Sequence, residues 1–261
     1  MTRSEQPLGT FLAVLCDVSK KGELHSMAQG IQQADVDEVH ARGRLLARPD
    51  SGTGDAPGGL RQLNLESERD GLLYVPRSYA PEIPTPLVLM LHGAGGTGRG
   101  SMGPLLPFAD TFRFMLLAPD ARLETWDVLR GGFGPDVEFI DRALGQTFSR
   151  YNVDSSRVAV GGFSDGASYA LSIGLGNGDL VTNVIAFSPG FMAPNVLEGK
   201  PRIFISHGLH DRTLPIDLCS RRIVPSLRRS KYEVVYREFD GPHTVPESIA
   251  SEATAWFAGQ A

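Results

Sequence analysis

The residues between Val158 and Ala170, "VAVGGFSDGASYA", set a serine between two glycines where an apolar run gives way to a helical pattern. A chain with 30 glycines reaches Gly-x-Ser-x-Gly easily, so the motif has two readings. Ser164 at the tip of a tight strand-to-helix turn would have its hydroxyl exposed at a helix N-terminus, where developing negative charge is stabilised. Equally, serine is a favoured N-cap, and Ser164 could simply start a helix. Other loops must decide between a nucleophile and a cap.

Three loops carry residues suited to nucleophilic catalysis. "HGLHDRTLP" (207–215) puts Asp211 just after an apolar run, and "FDGPHTVP" (239–246) puts His243 in a loop tightened by Gly241 and Pro242. The order Ser, Asp, His suits a relay in which an imidazole removes the serine proton and a carboxylate orients the ring. "LHGAGGTG" (91–98) follows another apolar run, and its glycines would let backbone N–H groups face a ligand. The N–H groups of Ala94 and Asp165 are the candidate donors to an oxyanion. Asp217 is a competing acid, and His92, His207 and His210 are competing imidazoles. His92 and His207 end apolar runs, which suits a bond to backbone, and His210 is expected to face solvent.

These motifs carry a resemblance. From about Leu60 to Phe257 the chain resembles the α/β-hydrolases, and within them the phospholipase/carboxylesterase-type serine esterases that include acyl-protein thioesterases. "LHGAGG" is similar to that group's oxyanion loop, "GGFSDGA" to its nucleophile turn, "HGLHDRTLP" to its acid loop and "GPHTVP" to its histidine loop. The resemblance implies that Ser164 attacks an ester carbonyl, His243 takes its proton, Asp211 orients the imidazole and water hydrolyses the acyl-enzyme, with no cofactor or metal. It implies short-to-medium carboxylic esters or thioesters as substrates, small or polymeric. Phosphoester and amide cleavage stay open, and hydrogen peroxide could replace water in a side reaction. Asp165 stands where thioesterase relatives often carry Gln; only its backbone would serve the oxyanion, so the departure bears on acyl preference.

Two other classes compete. Gly93, Gly95 and Gly98 satisfy G-x-G-x-x-G, and Asp120 ends the next apolar run, as a dinucleotide-binding oxidoreductase requires. The helix after those glycines would contain Pro104 and Pro107, which suits close packing poorly. A non-catalytic binding protein on the same fold is the third reading, though such proteins usually lose a member of the Ser-Asp-His set.

The elements that would position these loops are legible in outline. "LRQLNLE" and "GLLYVP" predict an antiparallel pair. Apolar runs at 86–92, 114–119, 157–163, 183–188 and 202–207 suit parallel strands covered on both faces. "YEVVYREF" (232–239) alternates as an edge strand does. Helices are expected at 136–151, from Ser164 to about Leu175, from about Asp217 to Ser230, with Pro225 bending or interrupting it, and from Pro246 to Phe257. Alternating strands and helices predict an α/β domain at 60–261. Its mostly parallel central sheet of about eight strands would carry helices on both faces. Only "SPGFMAPNVLEGKP" separates two of the strands, too short for a helical cap, so an open cleft is expected. Phe191, Met192 and Trp126 are candidate substrate-binding walls, Trp126 equally a core residue.

Residues 1–59 read as an extension and linker of uncertain order. A weak helical pattern at Met27, Ile31 and Ala34 leads to linker composition at 50–59. The apolar "LGTFLAVLCDV" is short for a signal peptide; Glu5 competes with Arg3, no small-x-small site follows, and Leu15 precedes Cys16. A cytoplasmic location is the expectation. Cys16 and Cys219 imply no disulfide framework. The 261 residues, 41% hydrophobic and 21% charged, allow one large domain. A net charge of −5 argues against a nucleic-acid partner, and Arg221, Arg222, Arg228, Arg229 and Lys231 read as the wet face of a helix. No apolar run approaches a membrane span.

Overall fold

The computed structural model describes residues 33–49, 57–66 and 68–259. Cys16, the apolar stretch before it, most of the weak helical pattern and most of the 50–59 linker lie outside them. The chain divides into a unit ending at Glu38 and a unit running from Val39 to Ala261. Described residues 33–41 are helical (α1).

The second unit is built on eight strands: β1 (Gly59–Gln62), β2 (Gly71–Val75), β3 (Thr85–Leu91), β4 (Met115–Pro119), β5 (Val153–Phe163), β6 (Asn183–Phe187), β7 (Arg202–Gly208) and β8 (Val234–Phe239). They form one sheet in the order β1-β2-β4-β3-β5-β6-β7-β8. β2 pairs antiparallel with both β1 and β4, and every pair from β4 through β8 is parallel. Helices are α2 (Gly98–Met102), α3 (Leu106–Phe112), α4 (Pro135–Arg150), α5 (Asp165–Gly176), α6 (Ser220–Arg229) and α7 (Glu247–Phe257).

The uninterrupted apolar runs are explained by this sandwich. In β3, Leu87, Leu89 and Leu91 face one core while Val88 and Met90 face the other, so every residue of the strand is buried. α4, α5 and α6 cover the first core and α2, α3 and α7 the second. Each fully buried Leu, Val or Phe contributes roughly 1.5–3 kcal/mol by leaving water. β8, at the sheet edge, is only half-buried, as its alternation predicted.

α4 opens with Pro135 and carries Asp136 and Glu138 in its first turn, where the helix dipole favours negative charge. α6 runs through Pro225 without interruption. Pro225 sits on the exposed face, so water can serve the carbonyl it leaves without a donor. Arg221, Arg222, Arg228, Arg229 and Lys231 are all exposed. Among the described residues, no helix is long and apolar enough to cross a membrane.

The compact unit runs from Val39, upstream of the domain start expected at residue 60. Leu45 is buried and its N–H donates to Asn177 Oδ1 at 2.8 Å, while the Asn177 amide donates to Gly43 O. Arg44 binds Asp179, and Asp141 accepts from the N–H groups of Leu46 and Ala47. Polar anchors and a single leucine hold this segment, so it has no hydrophobic period to read.

Candidate active site

Neighbouring parallel strands end nearly level: Leu91 lies opposite Gly162, Phe163 opposite Phe187, Phe187 opposite Ser206 and Gly208 opposite Phe239. The loops leaving β3, β5, β7 and β8 therefore meet at one edge, where open α/β sheets build their sites.

Ser164 stands between β5 and α5 with φ 58° and ψ −120°, a region costly for a residue with a Cβ. The neighbouring glycines make that turn possible. A Cβ on Gly162 would lie 2.3 Å from the Gly166 carbonyl, and one on Gly166 would lie 2.2 Å from Leu91 O. The Ser164 N–H donates to Phe187 O at the end of β6. The side chain makes no capping bond to its helix; its Oγ lies 2.9 Å from His243 Nε2.

His243 Nδ1 lies 2.5 Å from Asp211 Oδ2. The acid and histidine loops are laced together by backbone bonds from Leu209 N to Phe239 O and from His210 N to Gly241 O. Gly208 permits this approach, since a Cβ there would meet the carbonyls of Gly241 and Pro242 at 2.4 Å. Asp211 is buried, and its Oδ1 accepts the N–H groups of Thr213 and Leu214. The competing acid, Asp217, is exposed and paired with Arg221. His210 is exposed and paired with Asp240.

Opposite them runs the glycine loop, close enough that a Cβ on Gly93 would lie 3.3 Å from Ser164 Cβ. Gly95 N donates to Glu124 O and Gly96 N to Gly93 O. Asp165 is the first residue of α5, so its N–H has no acceptor within the helix. His92 bonds backbone at both nitrogens: Nδ1–H donates to Gly93 O and Nε2 accepts the Ala121 N–H. Burial pushes its pKa below the ordinary imidazole value. Asp120, the acid of the dinucleotide reading, accepts the Gly98 N–H at 2.5 Å and so ties the glycine loop to the end of β4. The helix that follows, α2, has only five residues.

Of the two readings of Trp126, cleft wall or core residue, its burial fits the second. It is fully buried, donates its indole N–H to His92 O at 2.8 Å and stacks on Tyr169 at 5.0 Å, so it braces the glycine loop from beneath and is no cleft wall. Tyr169 donates in turn to Asp127. Asp127 and Asp136 cross-brace the loop through backbone N–H bonds, and burial, with the Asp127 charge adding, pushes Asp136 up to about 6.

An open cleft of about 420 Å³ lies beside His243, lined by Thr97, Pro104, Phe163, Thr244 and Val245 among others. Phe163 also lies against the His243 ring, centroids 4.6 Å apart. Phe191 and Met192 are half-buried on the helix-free β6–β7 connection and stand outside this lining. Sequence reasoning missed these walls, which come from three separate loops; only Phe163, inside the serine motif, carried a signal.

Residues 136–249 match the model of the phospholipase/carboxylesterase family. A bifunctional acetylxylan esterase/xylanase of Neocallimastix patriciarum is 28% identical over 155 residues, which cover 56% of this chain and 22% of that longer protein. Among solved structures, esterase PE8 superposes with a TM-score of 0.59 at 23% identity, over 73% of this chain and 98% of its own. Acetyl xylan esterase from Aspergillus awamori does so with a TM-score of 0.57 at 19% identity, over 78% and 100%. The chain thus has the α/β-hydrolase fold, and the stretch that bears Ser164, Asp211 and His243 is similar to the phospholipase/carboxylesterase family.

Proposed function

We propose that the protein is a serine carboxylesterase acting on short acyl esters. The observation that carries the reading is the continuous chain Ser164 Oγ, His243 Nε2, His243 Nδ1, Asp211 Oδ2, with spacings of 2.9 and 2.5 Å. Neutral His243 accepts the Ser164 proton as Oγ bonds to the ester carbonyl carbon. The N–H groups of Ala94 and Asp165 receive the resulting oxyanion, aided by the positive end of α5. The tetrahedral intermediate collapses, and the leaving oxygen takes the proton from His243. Water, deprotonated by His243, then attacks the acyl-enzyme and releases the acid and the serine. Asp211 keeps Nδ1–H facing itself and so keeps Nε2 free to accept.

The cleft beside His243 is small and partly apolar, which favours a short acyl chain. No helix covers the β6–β7 connection, which suits a bulky alcohol there, and a relative named for acetylxylan esterase activity makes acetylated sugars the first leaving groups to try. Thioesters belong on the same panel. Turnover of p-nitrophenyl esters from acetate to octanoate, acetylated xylan and acyl-CoAs, with and without a fluorophosphonate, tests the reading. The expected result is fluorophosphonate labelling of Ser164, loss of turnover on labelling and the highest kcat/KM with acetate. Turnover that survives complete labelling would refute it.

A further inference from the structure

The oxygen of Asp211 that faces His243 also lies close to a second imidazole. His207 Nε2 lies 3.2 Å from Asp211 Oδ2, and neither side chain has any exposed surface. The same nitrogen lies 2.8 Å from Leu214 O. A carbonyl only accepts, so Nε2 carries the hydrogen and donates it to Leu214 O, and the positive N–H end of the ring lies 3.2 Å from Asp211 Oδ2. His207 Nδ1 is then the acceptor for the hydroxyl of Ser220, 2.7 Å away and itself fully buried. Burial holds the ring neutral by lowering its pKa. The ionisable groups around it are Asp211 and His243, Cys219 at the start of α6, and Glu238, level with it on β8 and paired with Arg221.

We propose that His207 is a positioning residue that acts through Asp211, its Nε2–H, fixed by Leu214 O and lying against Oδ2, tuning the charge that Oδ2 presents to His243. This rests on the esterase reading for its kinetic consequence, though the coupling between the two rings is a property of the fold. Oδ1 is held by Thr213 and Leu214, so Oδ2, with the His207 N–H beside it, is the oxygen that meets the His243 Nδ1. Removing that proton concentrates negative charge on Oδ2. His243 then holds a proton more tightly and becomes available as a base only at higher pH.

The test follows the protonation midpoint of the His243 ring by NMR, together with the acid limb of kcat/KM, in His207→Leu and His207→Gln. The leucine fills the site without a donor, whereas the Gln amide reaches the Nε2 position. In His207→Leu both midpoints should rise by roughly half a pH unit, with kcat down about tenfold and KM little changed. His207→Gln should recover most of the shift. Unmoved midpoints in folded His207→Leu, or equal shifts in both variants, would overturn the proposal. Should His207→Leu not fold, Ser220→Ala, which frees Nδ1, should move the midpoints the same way by less; no movement there overturns it too. A wild-type protein without Ser164-dependent turnover would defeat the esterase reading, while the NMR midpoints would still decide the coupling.

Discussion

Thr125 Oγ1 donates to Asp165 Oδ2 at 2.7 Å, tying the loop after β4 to the first residue of α5. The same loop takes the Gly95 N–H on Glu124 O, so one short segment braces both sides of the proposed oxyanion hole. Thr125→Val keeps the shape and removes the bond. Loss of about 1 kcal/mol of positioning predicts a roughly fivefold fall in kcat with KM nearly constant. Steady-state kinetics on p-nitrophenyl acetate would expose the opposite pattern, a raised KM at constant kcat.

Ser164 holds a left-handed φ that glycine would tolerate better. With Ser164 as the proposed nucleophile, Ser164→Ala and Ser164→Gly should each lose several orders of magnitude in turnover, on the scale of triad deletions in serine hydrolases. They should differ in stability. Relief of strain, less the extra freedom of unfolded glycine, predicts Ser164→Gly melting about 2–4 °C above Ser164→Ala. Calorimetry of the pair reads the strain directly.

Two acids and two imidazoles divide cleanly by environment. Asp211→Asn should cut kcat by about 10⁴, because the amide favours the wrong ring tautomer in His243. Asp217→Asn and His210→Ala remove exposed groups in surface pairs and should leave kcat within about twofold. A large loss in either control would redraw the site.

Asp136 supplies a pH signature in stability. Its folded pKa, about 6, stands above the unfolded carboxylate value. The group therefore favours folding fully below the unfolded pKa, and that contribution disappears as pH rises through about 6. Up to about 3 kcal/mol is at stake. Urea unfolding of wild type and Asp136→Asn across pH 4 to 7.5 should show wild type losing ground to the variant as pH rises. A flat difference would mean that the carboxyl titrates as it does in the unfolded chain.

The sheet was legible because strands buried on both faces must be apolar throughout, as Leu87–Leu91 and Met115–Pro119 are. The serine loop was legible because each glycine answers a contact of under 3 Å. What the sequence hid depends on meetings between distant loops. Nothing in the spacing of Trp126 tells that its indole N–H ends on His92 O, or that Val245 and Pro104 come to face one cleft. Residues 39–49 stayed hidden for another reason: side-chain anchors such as Asn177 and Asp141 hold them, and these leave no period in the segment itself.

The connection from β6 to β7 contains no helix. Among the described residues that connection offers no helical flap, so on that side turnover of the proposed substrates would be timed by bond-making rather than by a hinge, and should respond little to solvent viscosity. Bulk water would also reach the acyl group at will, favouring hydrolysis over transfer to other alcohols.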